Sequence, residues 1–235
     1  VLSAAYKQSS HVRDDLFQSD PTNRLIARQN RFRVEGEVTR DLFLAASGLL
    51  VDEIGGPSIR PPLPAGVADL GYAGSVKWPE SEGPQKYRRG LYVFFQRTVA
   101  YPMLVAFDCP DSNVAALSRN RSNTPLQSLT LLNDPVFVEA AQALGKRLME
   151  MGASDEPTRV REAFKLCMGR EPKPKELELL MKLLVEQEAL FAARPEEAKT
   201  LLGPYMPENV APEKAAAHMI LARSIMNLDE FLTRE

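Results

Sequence analysis

The stretch TPLQSLTLLNDPVFVEAAQALGKRLM, residues 124–149, decides the fold class. Thr124-Pro125-Leu126-Gln127 fits a capping box with proline at the first helical position, the glutamine reaching back to the threonine amide. Asn133-Asp134-Pro135 then breaks or kinks that helix and caps another, in which Val136, Phe137, Ala140, Ala141, Leu144 and Leu148 recur at helical spacing. Further on, Asp155 opens a shorter helix with Val160, Ala163, Phe164 and Cys167 inward, and Gly169 ends it ahead of Pro172. Pro174 starts the next, with Leu177, Leu180, Met181, Leu184 and Phe191 along one side. A last helix is expected from about Pro212, burying Ala216, Met219, Ile220, Ile225, Leu228 and Leu232. The expected fold class is mainly α, an irregular multi-helix domain with a long Gly/Pro-rich loop region.

Upstream of that stretch the spacing predicts one long helix over residues 20–50. Asp20 caps it, Pro21 suits its first turn, and Gly48 or the Gly55-Gly56 pair ends it. Between Asp52 and Gly90 lie seven glycines and six prolines, which exclude regular helix and most central-strand positions; Trp78, the only tryptophan, sits there. Leu91 to Phe95 is a continuous apolar run that a buried strand or a buried helix would explain; the spacing of Leu91, Phe94, Phe95 and Thr98 favours the helix. One domain is expected over 1–235, with a sub-boundary near 151–156, where Gly152, Ser154 and Pro157 mark a turn, as the alternative.

The 235 residues are 44% hydrophobic and 26% charged with a formal net charge of -2, which suits a globular chain with a sizeable core. That balance argues against a nucleic-acid partner, and no apolar run approaches the roughly 20 residues a membrane span needs. Cys109 and Cys167 form neither a Cys-x-x-Cys pair nor a zinc ligand set, so no metal and no cofactor is expected in this domain. Val1 onward shows no signal-peptide pattern and no initiator methionine, so the chain reads as a processed form or a piece of something longer.

Two groups of charged residues carry the candidate chemistry. Arg24, Arg28, Arg31, Arg33 and Arg40 alternate with Glu35, Glu37 and Asp41, and on one helix Arg31 would meet Glu35, and Glu37 both Arg33 and Arg40. Exposed, such pairs mean little; buried, they would fix how the helix docks, and the functional alternative is an anion or sugar site lined by arginines and carboxylates. Arg97, Asp108, Asp111, Asn113, Arg119, Arg121 and Asn123 form the second group. Asp108 and Asp111 flank Pro110 and suit paired carboxylates, hard-cation ligands or turn acceptors, although calcium wants more oxygens than two side chains supply. Ser9, Ser10 and His11 lack the Gly-x-Ser-x-Gly elbow of a serine hydrolase, and His218-Met219 fits helix packing better than haem ligation.

Several motifs together resemble one family. Tyr6-Lys7-Gln8-Ser9-Ser10, Asp20-Pro21-x-Asn23-Arg24-Leu25 and Arg28-x-Asn30-Arg31-x-Arg33-Val34-Glu35-Gly36-Glu37-x-x-Arg40-Asp41 come first. Arg88-Arg89-Gly90-Leu91-Tyr92, Phe107-Asp108-Cys109-Pro110-Asp111, Thr124-Pro125-Leu126-Gln127, Gly169-Arg170-Glu171-Pro172 and Asn227-Leu228-Asp229-Glu230-Phe231-Leu232 follow in order. The set resembles the C-terminal domain of unknown function of exported multidomain proteins abundant in planctomycetes, which often carry a cytochrome-c-like module. The chain departs from that pattern at Gly36, where alanine is more usual, and lacks a cysteine expected between Asp111 and Arg121. The resemblance implies a periplasmic or cell-surface location, partner domains on the same polypeptide, a link to polysaccharide use, and haem elsewhere in the parent protein.

Three functional expectations follow. The first is a structural or ligand-binding module in which Arg33, Glu37, Arg40 and Asp108 are buried and paired with one another, with Arg33, Arg40, Arg97, Arg121 and Gln127 as the binding candidates. The second is a polysaccharide hydrolase using Glu37, Asp41, Asp108 or Asp111 as acid and base across a cleft roughly 5–10 Å wide, with Arg97 or Arg121 holding an anionic group. The third is a docking surface for the cytochrome-c-like domain.

Overall fold

Proline spacing sets the helix starts. The computed structural model describes residues 2–67, 77–96, 99–110, 112–153 and 155–234, and 54% of the chain is helical. In chain order the helices are α1 (Asp14–Ser19), α2 (Gly36–Ser47), α3 (Pro102–Ala106), α4 (Pro125–Asn133), α5 (Pro135–Glu150), α6 (Glu156–Met168), α7 (Pro174–Ala192), α8 (Pro195–Leu202), α9 (Pro212–Met226) and α10 (Asp229–Leu232). Six of them begin on proline, whose missing N–H lies where no intrahelical partner exists. The capping box of α4 forms, with Thr124 N donating to Gln127 Oε1 at 3.3 Å, and Asp134 Oδ1 caps α5 by accepting from Val136 N at 3.0 Å. Asp155 caps α6, and Gly169 closes it in the left-handed region at φ 69°.

The chain divides into two compact units, Val1–Val34 with Leu232–Glu235, and Glu35–Phe231; residues 151–156 fall inside the larger. The smaller unit contains α1 and an antiparallel pair of β1 (Phe32–Arg33) with β2 (Thr233–Arg234). The expected helix over 20–50 is confined to residues 36–47. Asp20 does act as a cap, but of a turn, accepting from Arg24 N at 2.8 Å and Leu25 N at 2.9 Å. Asn23, at φ 54°, takes the amides of Ala27 and Arg28 on its own side-chain oxygen. These short polar side chains offer the backbone an alternative to the helical ladder, and they win. The helical pairings expected for Arg31 and Arg33 lose their basis, since both residues precede α2: Arg31 donates to Thr233 Oγ1 and Arg33 to the Val34 carbonyl. Ser9 Oγ accepts from His11 N, a local turn.

In the larger unit α9 is buried nearly all round, with α5, α7 and α8 against it, and α2 packs on α5 through Phe43 and Phe137, ring centroids 4.3 Å apart. Gly145 permits the α5–α9 approach, because a Cβ there would stand 2.9 Å from Met219 Cα. Ile220 is only partly covered and Leu228 is exposed, contrary to the expected inward face. The helix favoured for 91–98 is replaced by a 3-10 turn, Gly90–Tyr92, and an extended bridge of Val93 to Ile59; Thr98 lies outside the described residues. Within the described part of the Gly/Pro-rich stretch, buried Arg88 donates to the carbonyls of Glu53, Gly55 and Pro57 and lies over the Tyr92 ring.

His218 is fully buried in α9, its ring nitrogens 2.8 Å from the Lys214 carbonyl and 3.0 Å from Glu156 Oε2. Burial holds its pKa below the ordinary value. Burial pushes Glu156 up, but Lys214, Arg159 and His218 outweigh it and bring the carboxyl down to about 2. Both shifts have one sign: the unfolded chain takes up these protons at higher pH than the folded one, so stability falls as pH drops. The His218 part is lost below pH ~6.5 and the Glu156 part below ~4.5. Denaturant titrations between pH 7.5 and 4 therefore show falling stability, and His218→Asn flattens the pH 5–6.5 portion; an unchanged slope contradicts the assignment. Gly145→Ala is expected to lose about 1–3 kcal/mol by overpacking against Met219, read as a lower denaturant midpoint.

Candidate functional site

The N-terminus of α2 is the best-developed polar site in the larger unit. Glu35 is its N-cap residue and Glu37 lies in its first turn, where the partial positive end of the helix favours carboxylates. Two features bring the neighbouring segments close. Gly90 has no side chain to oppose contact; a Cβ there would stand 2.6 Å from the Glu37 carbonyl oxygen. Gly36 faces Phe107, whose Cβ would be 3.0 Å from an added one, so a side chain there would crowd Phe107. Asp41, one turn on, accepts from Gly90 N at 2.6 Å and Arg89 Nε at 3.3 Å.

Across from α2, the described residues of 109–121 form a loop closed at its base. Asp108 adopts φ 62°, which ends the α3 segment and turns its carboxylate toward Ser122, accepting from the backbone amide and the hydroxyl at 2.8 Å each. Gln127, besides capping α4, donates to the Ala106 carbonyl and Ser122 Oγ, both at 3.0 Å. The loop then folds back onto α2 through one guanidinium. Arg119 Nη1 donates to Glu35 Oε2 at 3.0 Å and to Glu37 Oε2 at 2.9 Å, and the Cys109 thiol lies 3.7 Å from Glu37 Oε1.

These contacts set the charge state. Burial pushes Glu37 up, but the hydrogen bonds and charge of Arg119, with the Cys109 thiol, hold it below the ordinary carboxylate range. Arg119 is raised by the same bonds. Burial and the Glu37 charge push the Cys109 thiol up to about 11, so it is protonated at neutral pH. Beside this clamp an open cleft of about 610 Å³ is lined by Glu35, Ser112, Val114, Leu117, Ser118, Arg119 and Arg121 among others. A second of about 270 Å³ shares Val114, Ser118 and Arg119 and adds Asp108, Cys109 and Asn120.

Of the expected quartet of Arg33, Glu37, Arg40 and Asp108, the three members in the larger unit each have a partner outside the set: Glu37 is held by Arg119, Arg40 by the Lys86 carbonyl and Asp108 by Ser122. Glu37 and Arg40 share α2 but do not pair. Arg40 points into the core, where Nη2 donates to the Lys86 carbonyl at 2.6 Å while Nε and Nη1 have no partner. Arg97 and Asp111 lie outside the described residues. Arg121 lines the larger cleft and Gln127 braces the loop base. Arg119, a member of the second charged group whose partners spacing did not reveal, binds both glutamates, and Ser122, which no sequence signal singled out, closes the loop. Glu139, with Lys86 Nζ, Tyr87 OH and Tyr205 OH all on its Oε1, was missed as well. Among the described residues no three His, Cys, Asp or Glu side chains converge for a metal, and no helix is long and apolar enough to cross a membrane.

Fold and site together define a mainly α module whose charged residues brace an exposed loop. The chain belongs to the family PSD1, protein of unknown function (DUF1553), whose family model matches residues 1–184. That match ends inside α7, so α8 and the central α9 lie beyond it. No curated protein and no solved structure matches the chain.

Arg119→Ala is expected to leave the helical content intact, because a partly exposed ion pair contributes ~1 kcal/mol or less to global stability. Local opening is more sensitive: ~1.4 kcal/mol there is a tenfold change in the open population that a protease samples. At ~1 kcal/mol, cleavage within 109–121 therefore accelerates up to about fivefold in the variant, measured by limited proteolysis with mass spectrometry, and an unchanged rate contradicts the clamp.

Proposed function

We propose that the chain is a binding module, with the 109–121 loop as its ligand-contacting element and a neutral polysaccharide segment as its ligand class. The observation that carries this reading is the commitment of the candidate carboxylates. Glu37 is bound by Arg119 and held below the carboxylate range, the wrong direction for a general acid, which must keep its proton near neutral pH. Asp41 is engaged by Gly90 and Arg89, and Asp108 by Ser122. Among the described candidates, what remains open is a cleft rather than a free carboxylate pair.

The lining suits a sugar. Its volume of about 610 Å³ lies in the usual range for small-ligand sites. Ser112, Ser118, Arg121 and the clamped Glu35–Arg119 pair offer donors and acceptors for vicinal hydroxyls, with charges largely balanced. Val114 and Leu117, 77% and 106% exposed, offer the apolar surface that the C–H face of a sugar ring covers. The resemblance supports placing the module in an exported multidomain protein at the periplasm or cell surface, beside partner domains that include a cytochrome-c-like one and its haem. Both cysteines are free, and burial pushes them up, Cys109 to about 11 and Cys167 to about 12. Such thiols hold little thiolate and survive in an oxidising compartment.

Titration with neutral hexasaccharides of several linkages tests the reading, with amide NMR shifts and product analysis recorded together. Binding that moves Ser112, Leu117, Ser118 and Arg121, weakens at least tenfold in Leu117→Asp and releases no reducing ends is the expected result. Hydrolysis abolished by Glu37→Gln, or saccharide binding that leaves the loop unmoved, contradicts it.

A further inference from the structure

A second cavity, of about 280 Å³, opens beside α4 with Met103, Leu126 and Leu129 among its walls. It is apolar except at one end, where Thr130, Asn133 and Asp134 lie three and four residues apart along the end of α4. Asp134 is only 6% exposed, yet among the described residues just one of its oxygens is engaged: Oδ1 accepts from Val136 N at 3.0 Å, and no hydrogen bond reaches Oδ2. Arg40 acts on this carboxylate through space without forming an ion pair with it. Its neighbours are acceptors in waiting. Thr130 commits its hydroxyl proton to the Leu126 carbonyl at 2.8 Å, and Asn133 its amide to the Leu129 carbonyl at 2.9 Å, so Thr130 Oγ1 and Asn133 Oδ1 keep lone pairs for a donor.

We propose that this groove takes the side chain of a lysine presented by an apolar segment of a partner polypeptide, its ammonium on Asp134 Oδ2. Three features select that occupant. The walls match an unbranched methylene stem that buries itself and delivers a charge at its tip. Three acceptor oxygens match the three donors of an ammonium, whereas arginine's planar fork needs both carboxylate oxygens, and Asp134 Oδ1 is already held by the α5 amide. The rim also carries apolar surface beyond the cavity: Leu126 is 61% and Leu129 55% exposed, which flanking apolar residues of a peptide would cover and a free amine would not.

The test compares acetyl-Leu-Lys-Leu-amide, the same peptide with norleucine for lysine, and n-hexylammonium, each titrated by amide NMR into the full chain. The lysine peptide is expected to shift Met103, Leu126, Leu129 and Thr130 and to bind at least tenfold more tightly than either comparator. Asp134→Asn, which keeps a capping oxygen for Val136 N but removes the charge, weakens the lysine peptide at least tenfold while the far-ultraviolet circular dichroism stays unchanged. Equal binding of the norleucine peptide, no shift with the lysine peptide, or undiminished binding by a folded Asp134→Asn overturns the proposal. Equal affinity for n-hexylammonium overturns the polypeptide partner. The norleucine comparison uses the unaltered protein, so the result stands even if the variant does not fold.

Discussion

One guanidinium holds the candidate site in its charge state and its shape. Arg119 reaches two carboxylates on the first turn of α2, 82 and 84 residues away in sequence, and brings a 13-residue loop with it. Half-buried Glu37 would rise without a cation, since burial alone pushes it up. With Arg119 it stays charged, and so cannot serve as a proton store near neutral pH. The clamp therefore occupies this carboxylate and leaves the cleft beside it open.

The core behind it explains why α2 stands still enough to be clamped. Phe43 of α2 touches both Phe137 of α5 and Phe231, so its apolar face is tied to the central pair of α5 and α9. Gly90 and Asp41 hold the preceding segment onto the opposite side of the same helix, with the glycine amide 2.6 Å from the carboxylate. Buried Arg40 works differently. Burial lowers its pKa, the Lys86 carbonyl and the charges of Asp41, Asp134 and Glu139 offset that cost only in part, and it ties the Gly83–Tyr87 turn to α2.

Cap chemistry was legible in the sequence because it is local. Thr124, Asp134, Asp155 and Gly169 act within four residues of themselves, and each stands where its spacing placed it. The mainly α class followed from those signals. The stretch from Asp20 failed for a related reason: its side chains also act locally, but on turn amides, and one residue type suits both roles. α8 was passed over although Pro195 marks its start, since eight residues carry too little periodicity to declare a helix. The site was less legible. Glu37 and Asp108 were visible as charged candidates, but the pairing of Arg119 with Glu35 and Glu37 is non-local and leaves no period to read. The same holds for Glu139, whose partners come from Lys86, Tyr87 and Tyr205.

The central claim is that Arg119 keeps Glu37 ionised and occupied. The direct measurement is the ionisation constant of that one carboxyl, followed by its side-chain carbon-13 resonance through an acid titration of the folded protein. A midpoint clearly below the ordinary glutamate value of 4.5, moving upward in Arg119→Ala, is the result the clamp requires. A midpoint at or above 4.5 in the unaltered chain would mean that the carboxyl is free to exchange its proton, and the binding-module account would give way to acid–base chemistry.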